Sequence, residues 1–277
     1  MKTLKVGGVP EHFNLPIHLC IEEGLFRAEG LEVEWVEFPG GTGAMNASLR
    51  DEEIDVAVIL TEGIIRDIAN GNPSKIIQNY VSSPLIWGVH VAAESAFQSI
   101  DDLKDARPAI SRFGSGSHVM AFIQAHQLGW DTSKLECVVV NNLDNAIKAL
   151  QNGEADYFMW EHFTTKPLVD RGIFRRVADF PTPWSSFVFA ATKNAAENKS
   201  QELSIFLKTV NAKTIIFKNI EGIDHILAER YDQKLKDIQK WLSLTNWSQE
   251  ELRDSESEQI VSFLKQLNMI EINYYYK

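Results

Sequence analysis

Up to about residue 190, short apolar, β-branched runs alternate with stretches whose apolar positions recur every three or four residues. These are the periods of strands and helices respectively. Runs at 4–8, 31–38, 54–59, 75–81, 86–92, 107–111, 135–140, 155–159, 174–177 and 186–191 predict strands. Helical spacing predicts helices over 15–23, 44–51, 64–69, 119–128 and 143–151, with a helical turn at 99–104. Leu31-Glu32-Val33-Glu34-Trp35-Val36-Glu37-Phe38 alternates apolar and acidic positions, as a half-exposed edge strand does. Beyond Lys193 the pattern turns helical, over 200–218, 223–229, 233–242 and 249–267, and the tail 269–277 ends in Tyr274-Tyr275-Tyr276. The alternation predicts an α/β fold with mostly parallel strands, onto which the late helices pack back.

The breaks between these runs carry the chemistry. Pro39-Gly40-Gly41-Thr42-Gly43-Ala44 turns a strand into a helix, with Thr42 at the expected N-cap, and Thr61-Glu62-Gly63 starts the next helix. Arg112-Phe113-Gly114-Ser115-Gly116-Ser117-His118 repeats that design, with Ser115 or Ser117 as the expected cap. Such strand–turn–helix junctions aim free backbone N–H groups and a helix dipole at one point. The segments Leu49–Val58 and Leu150–Met159 also echo one another, each a helix end, a polar turn, Glu, one apolar residue, Asp and a buried strand. The echo predicts two similar lobes, with a ligand cleft between them at the carboxyl ends of the strands.

Several residue types gather in the loops at those ends. Gly41, Thr42 and Gly43 offer N–H groups and a hydroxyl to a polar or anionic ligand, as do Ser115, Gly116 and Ser117. Thr61 and Asn141 add a hydroxyl and an amide, and Arg112 offers a bidentate contact to an anion. Phe13, Trp160 and Trp184 are candidates to sandwich a flat ligand. Glu11 and Glu62 are candidates for an amine or ring N–H, and His12, His118, Glu161 and His162 for acid–base work. Each has a plainer reading beside it: glycines that only turn the chain, aromatics that only pack, an arginine in a surface ion pair, histidines that hydrogen-bond without chemistry. No residue is assigned a catalytic role, and no metal site is expected.

A length of 277 residues, 44% hydrophobic and 23% charged, suits a soluble globular protein with a full core. A net charge of −11 argues against nucleic acid or an anionic membrane as partner. Cys20 and Cys137 lie far apart and read as buried thiols. No apolar run spans a membrane, and Met1-Lys2-Thr3-Leu4-Lys5-Val6 lacks the apolar core of a signal peptide. The expectation is a cytoplasmic protein, or a periplasmic one if a signal was removed.

The segment Leu19-Cys20-Ile21-Glu22-Glu23-Gly24-Leu25-Phe26-Arg27-Ala28-Glu29-Gly30-Leu31-Glu32-Val33 resembles the A-x-x-x-G-[LF]-F-x-x-E-G-L-x-V stretch of type II periplasmic-binding-protein-like proteins. Phe38–Gly43 and Ile54-Asp55-Val56-Ala57 resemble a second family stretch. Similarity is greatest to binding proteins for alkanesulfonates, nitrate and taurine, and to the thiamine-pyrimidine precursor binding and synthase group.

The resemblance implies two α/β lobes, 1–86 with 187–277 and 87–186. They would be joined by crossover strands near 84–89 and 184–188 and close over a small ligand by hinge motion. It implies an ABC permease as partner if the chain is exported. The cysteine-rich motif and the pyridoxal-phosphate lysine of the fungal synthases have no counterpart in the cleft loops. No cofactor is therefore expected, and a binding protein for a small polar, heteroaromatic or anionic metabolite is favoured over an enzyme. The alternatives are a cytosolic enzyme on the same scaffold, in thiamine-pyrimidine or menaquinone-type biosynthesis, and a sensor that kept the fold and lost transport.

Overall fold

The computed structural model describes residues 1–270; the expected Tyr274-Tyr275-Tyr276 tail lies outside the described residues. The chain divides into two compact units, Met1–Pro84 with Trp184–Lys265, and Leu85–Pro183 with Gln266–Met269. The strands in chain order are β1 (Lys2–Gly8), β2 (Leu31–Glu37), β3 (Val56–Leu60), β4 (Lys75–Val81), β5 (Ile86–Ala92), β6 (Pro108–Ile110), β7 (Val138–Val139), β8 (Tyr157–Glu161), β9 (Phe174–Pro181) and β10 (Phe187–Ala191).

The first unit holds a five-stranded sheet in the order β2-β1-β3-β10-β4, the second a sheet in the order β7-β6-β8-β5-β9. The two orders are the same topology. In each, a first strand lies between the second and third, and an inserted strand separates the third from the fourth. Pairings β1–β2 and β1–β3 are parallel, as are β6–β7 and β6–β8. The inserted strands β10 and β5 run antiparallel to both of their neighbours.

The expectation of mostly parallel strands is corrected to mixed sheets. A β-helix-β crossover returns the chain in the same direction, whereas β10 and β5 are not delivered by one. β3 and β10 are buried at every position, which is why both read as unbroken apolar runs. In the first unit Met45, Leu49 and Ile64 from two helices pack on Ala57, Ile59, Val188 and Ala190 of that sheet. In the second, Ala146, Ala149, Leu150 and Leu168 pack with Ala109, Phe158 and Phe174. Burying each such Leu, Ile or Phe contributes about 1.5–3 kcal/mol.

The internal echo has a physical cause. Asp55 accepts from Lys5 N at 2.9 Å through Oδ2, and its own N–H donates to the Lys5 carbonyl at 2.9 Å. Asp156 does the same with Arg107, at 2.7 and 2.9 Å. Each aspartate thus ties the entrance of its unit's third strand to the first strand or the residue just before it. A cation completes each tie: Lys199 Nζ at 2.8 Å from Asp55, Arg107 Nε at 3.0 Å from Asp156.

Two elements differ from their sequence patterns. Of the run 135–140 only Val138–Val139 forms a strand. The helix expected over 249–267 occupies Asp254–Gln266. The chain leading into it runs beside the edge strand β4 instead: Ser248 N donates to Tyr80 O, and Asn79 N to Glu250 O, both at 2.9 Å.

Candidate functional site

In the first unit the loops after β1, β2 and β3 meet at the carboxyl ends of the parallel strands. Gly41 takes φ 67° and ψ −159° and is itself the N-cap of the helix Thr42–Arg50, one residue before the expected cap. The Gly41 carbonyl accepts from Ala44 N and Met45 N, so Thr42 and Gly43 fall in the first turn, where N–H groups have no acceptor within the helix. Thr42 is buried, and its Cγ2 lies 2.3 Å from where a Cβ on Gly63 would stand. Only glycine lets the helix Thr61–Ala69 begin that close to Thr42.

Thr61 and Glu62 follow β3 directly and are both fully buried. Glu62 Oε2 accepts from Trp184 Nε1 at 2.9 Å, while Glu62 Oε1 and Thr61 Oγ1 have no hydrogen-bond partner among the described residues. Burial pushes the Glu62 carboxyl up to about 7, against the opposing pull of the Trp184 indole.

After β1, Glu11 N donates to the Val9 carbonyl at 2.8 Å and leads into the turn His12–Asn14. His12 is buried against Trp241, rings stacked with centroids 4.1 Å apart, and burial lowers its pKa to about 3. It is neutral across the physiological range. Phe13 stacks on Phe187 at 3.8 Å, and its carbonyl accepts from Tyr80 Oη and Trp247 Nε1. Phe13 therefore meets a protein aromatic where a ligand ring was expected, and Trp184 is buried with its edge toward Phe263.

In the second unit, Ser115 is the N-cap of the helix Gly116–Gln127, its hydroxyl accepting from His118 N at 3.3 Å. Ser117 Oγ accepts from Ser111 N at 3.0 Å and also meets the Ser111 and Ser115 hydroxyls. This hydroxyl cluster fastens the helix start to the end of β6. His118 Nδ1 accepts from Gly114 N at 3.0 Å, which places its ring proton on Nε2. Arg112 is half-buried at the same turn, and burial lowers its pKa. Asn141 is exposed, with φ 67°, and donates from N to Ser111 O at 3.0 Å.

Trp160 and Glu161 belong to β8 itself. Trp160 stacks on Phe158 and packs on the core of its unit. Glu161 is buried, and its Oε2 accepts from Thr164 N at 2.6 Å; burial raises its pKa against the pull of the Thr164 and Phe163 N–H groups. His162 Nδ1 is shared between Asp179, at 2.7 Å, and Arg176.

The structure thus gathers Gly41, Thr42, Gly43, Thr61, Glu62 and Trp184 in the first unit, with Glu11, His12 and Phe13 on the neighbouring loop. In the second it gathers Arg112, Ser115, Gly116, Ser117, His118 and Asn141; Trp160, Glu161 and His162 lie at and just beyond the end of β8.

Two buried polar residues of the first unit were not singled out in the sequence, Asn14 and Asn46. Asn46 sits beside Met45 and three residues before Leu49 on a buried helix face, where a lone amide among apolar neighbours was the available signal. No group of three or more His, Cys, Asp or Glu suited to a metal occurs among the described residues.

The family profile for Ca3427-like PBP matches residues 87–180. The Candida albicans CA3427 gene product, described as defining a family with the generic periplasmic binding protein fold, superposes with a TM-score of 0.87 at 28% identity, over 99% of each chain. The alkanesulfonate-binding protein SsuA from Xanthomonas axonopodis pv. citri, bound to MOPS, superposes with a TM-score of 0.81 at 17% identity, over 98% of this chain and 95% of that one. For the nitrate-binding protein NrtA from Synechocystis PCC 6803 the TM-score is 0.75 at 14% identity, covering 99% and 83%. A search of curated proteins finds no match. The chain has the type II periplasmic-binding-protein-like fold, as the segment Leu19–Val33 led one to expect.

Proposed function

We propose that this chain is a solute-binding protein that captures one small polar metabolite. Residues at the carboxyl ends of the strands of the first unit would supply contacts. The observation that carries the reading is the first-unit rim, where Thr61 and Glu62 are fully buried yet keep polar atoms without partners among the described residues. Native proteins match nearly all such atoms, so a cluster of them at the ligand-binding end of this fold is what a binding site requires. In the second unit the start of the helix Gly116–Gln127 and Arg112 suit an anionic or polar group. If the chain is exported, an ABC permease is the partner we propose.

The acid–base candidates favour binding over catalysis, because their contacts are structural. His12 stacks on Trp241, His118 braces the turn at Gly114, and Glu161 caps the turn at Thr164. A thermal-shift screen of sulfonates, nitrate, nucleobases and aminopyrimidines tests the proposal. At least one compound should raise Tm by several degrees in a saturable way, and indifference to the whole panel would refute it.

A further inference from the structure

The helix Ser200–Ile216 carries two apolar stripes. Leu203, Phe206 and Val210 are buried, and Phe206 meets Phe189 of β10 with ring centroids 5.2 Å apart. Ile205, Ala212 and Ile216 form the second stripe, about a third of a turn further round the helix. A helix lying on a sheet needs only the first. With Leu25 and Ala28 of the helix Leu25–Ala28, the second stripe lines a groove of about 310 Å³ on the first unit. This apolar surface is left to solvent: Ile216 is 51% exposed, and Ile215 next to it 64%.

Charge at the groove is balanced. Lys213 is already paired with Glu23 at 2.7 Å. Lys208 and Glu29 also line the groove and are exposed, and neither side chain has a hydrogen bond or ion pair among the described residues. A simple anion would meet Glu29 there, and a simple cation Lys208. A second copy of the same surface, brought up by a two-fold axis, avoids both penalties, because each Lys208 then faces the partner's Glu29. The same axis lays the exposed stripe of one helix against the groove of the other, and apolar surface leaves water on both sides.

We infer that this groove is the contact surface of a two-fold homodimer, in which each chain sets Ile216 into the partner's groove and pairs Lys208 with the partner's Glu29. Nine residues line the groove, against about 20–30 on each side of a standard interface. Each copy also carries a net charge of −11, which opposes association at long range. The dimer is therefore weak, with a Kd of about 10–100 μM.

Sedimentation velocity of the full chain over a concentration series tests the inference. The parent should pass from monomer to dimer across that range. Ile216→Asp should weaken the dimer about tenfold or more. Lys208→Glu alone and Glu29→Lys alone should each weaken it as well. An equal mixture of these two variants should associate again, since the two-fold axis then sets two acidic side chains against two basic ones. All three positions are exposed, so circular dichroism of every variant should stay native. A parent monomeric up to about 1 mM would overturn the inference. So would a dimer indifferent to all three substitutions, or a mixture that associates no better than its components. Saturable uptake of octanoate or octylammonium by a chain that stays monomeric would overturn it in favour of a small amphipathic ligand.

Discussion

The indole of Trp184 donates to Glu62 Oε2 at 2.9 Å, with both residues buried, and so joins the chain entering β10 to the start of the helix after β3. One oxygen of the carboxyl is thereby fixed and the other left over. Glu62 is also set against its own ionisation, because burial raises its pKa from the ordinary 4.5 to about 7.

That shift has a signed consequence for stability. Between pH 4.5 and 7 the folded chain holds a proton on Glu62 that the unfolded chain has released. Stability contributed by this group therefore falls as pH rises through that window, by about 3 kcal/mol in all. Glu62→Gln should be more stable than the parent at pH 8 and lose that advantage by pH 4.5. Urea melts of both proteins across this range check it, and a pH-independent difference would count against the buried carboxyl.

His12 works in the opposite sense. Burial lowers its pKa from 6.5 to about 3, so its contribution is present above pH 6.5 and is lost as pH falls toward 3. His12→Phe, which keeps a ring for Trp241 to stack on, should resist acid better than the parent by roughly 3 kcal/mol at pH 4. Acid titration followed by tryptophan fluorescence reads this directly. His90, buried and likewise lowered to about 3, with Arg176 adding to the effect, accounts for the acid sensitivity that remains.

Gly63 and Thr42 form a steric pair. A Cβ at Gly63 would lie 2.3 Å from Thr42 Cγ2. Gly63→Ala should therefore cost about 1–3 kcal/mol by overpacking. Adding Thr42→Ser, which removes the offending methyl and keeps the hydroxyl, should restore most of the loss. A double-mutant cycle by denaturant unfolding measures the coupling, and additive costs would contradict the contact.

Much of this was legible in the sequence, for physical reasons. Periods of two and of three to four expose strands and helices, and the Leu49–Val58 and Leu150–Met159 echo exposed two equivalent sheets because each third strand needs its aspartate tie. The fold class followed. The antiparallel insertion of β10 and β5 was not legible, since a strand's own residues do not record the direction of its neighbours. The site was half legible. Glycines and helix starts mark the rims, and Gly41 holds a left-handed φ that requires glycine. Which aromatic meets a protein partner depends on residues far off in sequence: Phe13 finds Phe187, and His12 finds Trp241. The amide oxygens of Asn14 and Asn46, buried and without a partner among the described residues, become visible only when every donor has been followed to its partner.

The most direct test of the central claim is calorimetric titration of the strongest compound from the thermal-shift panel into the parent chain and Thr61→Ala. The expected result is one site per chain in the parent, with affinity reduced about tenfold or more by the substitution. Tight binding untouched by it would contradict the account.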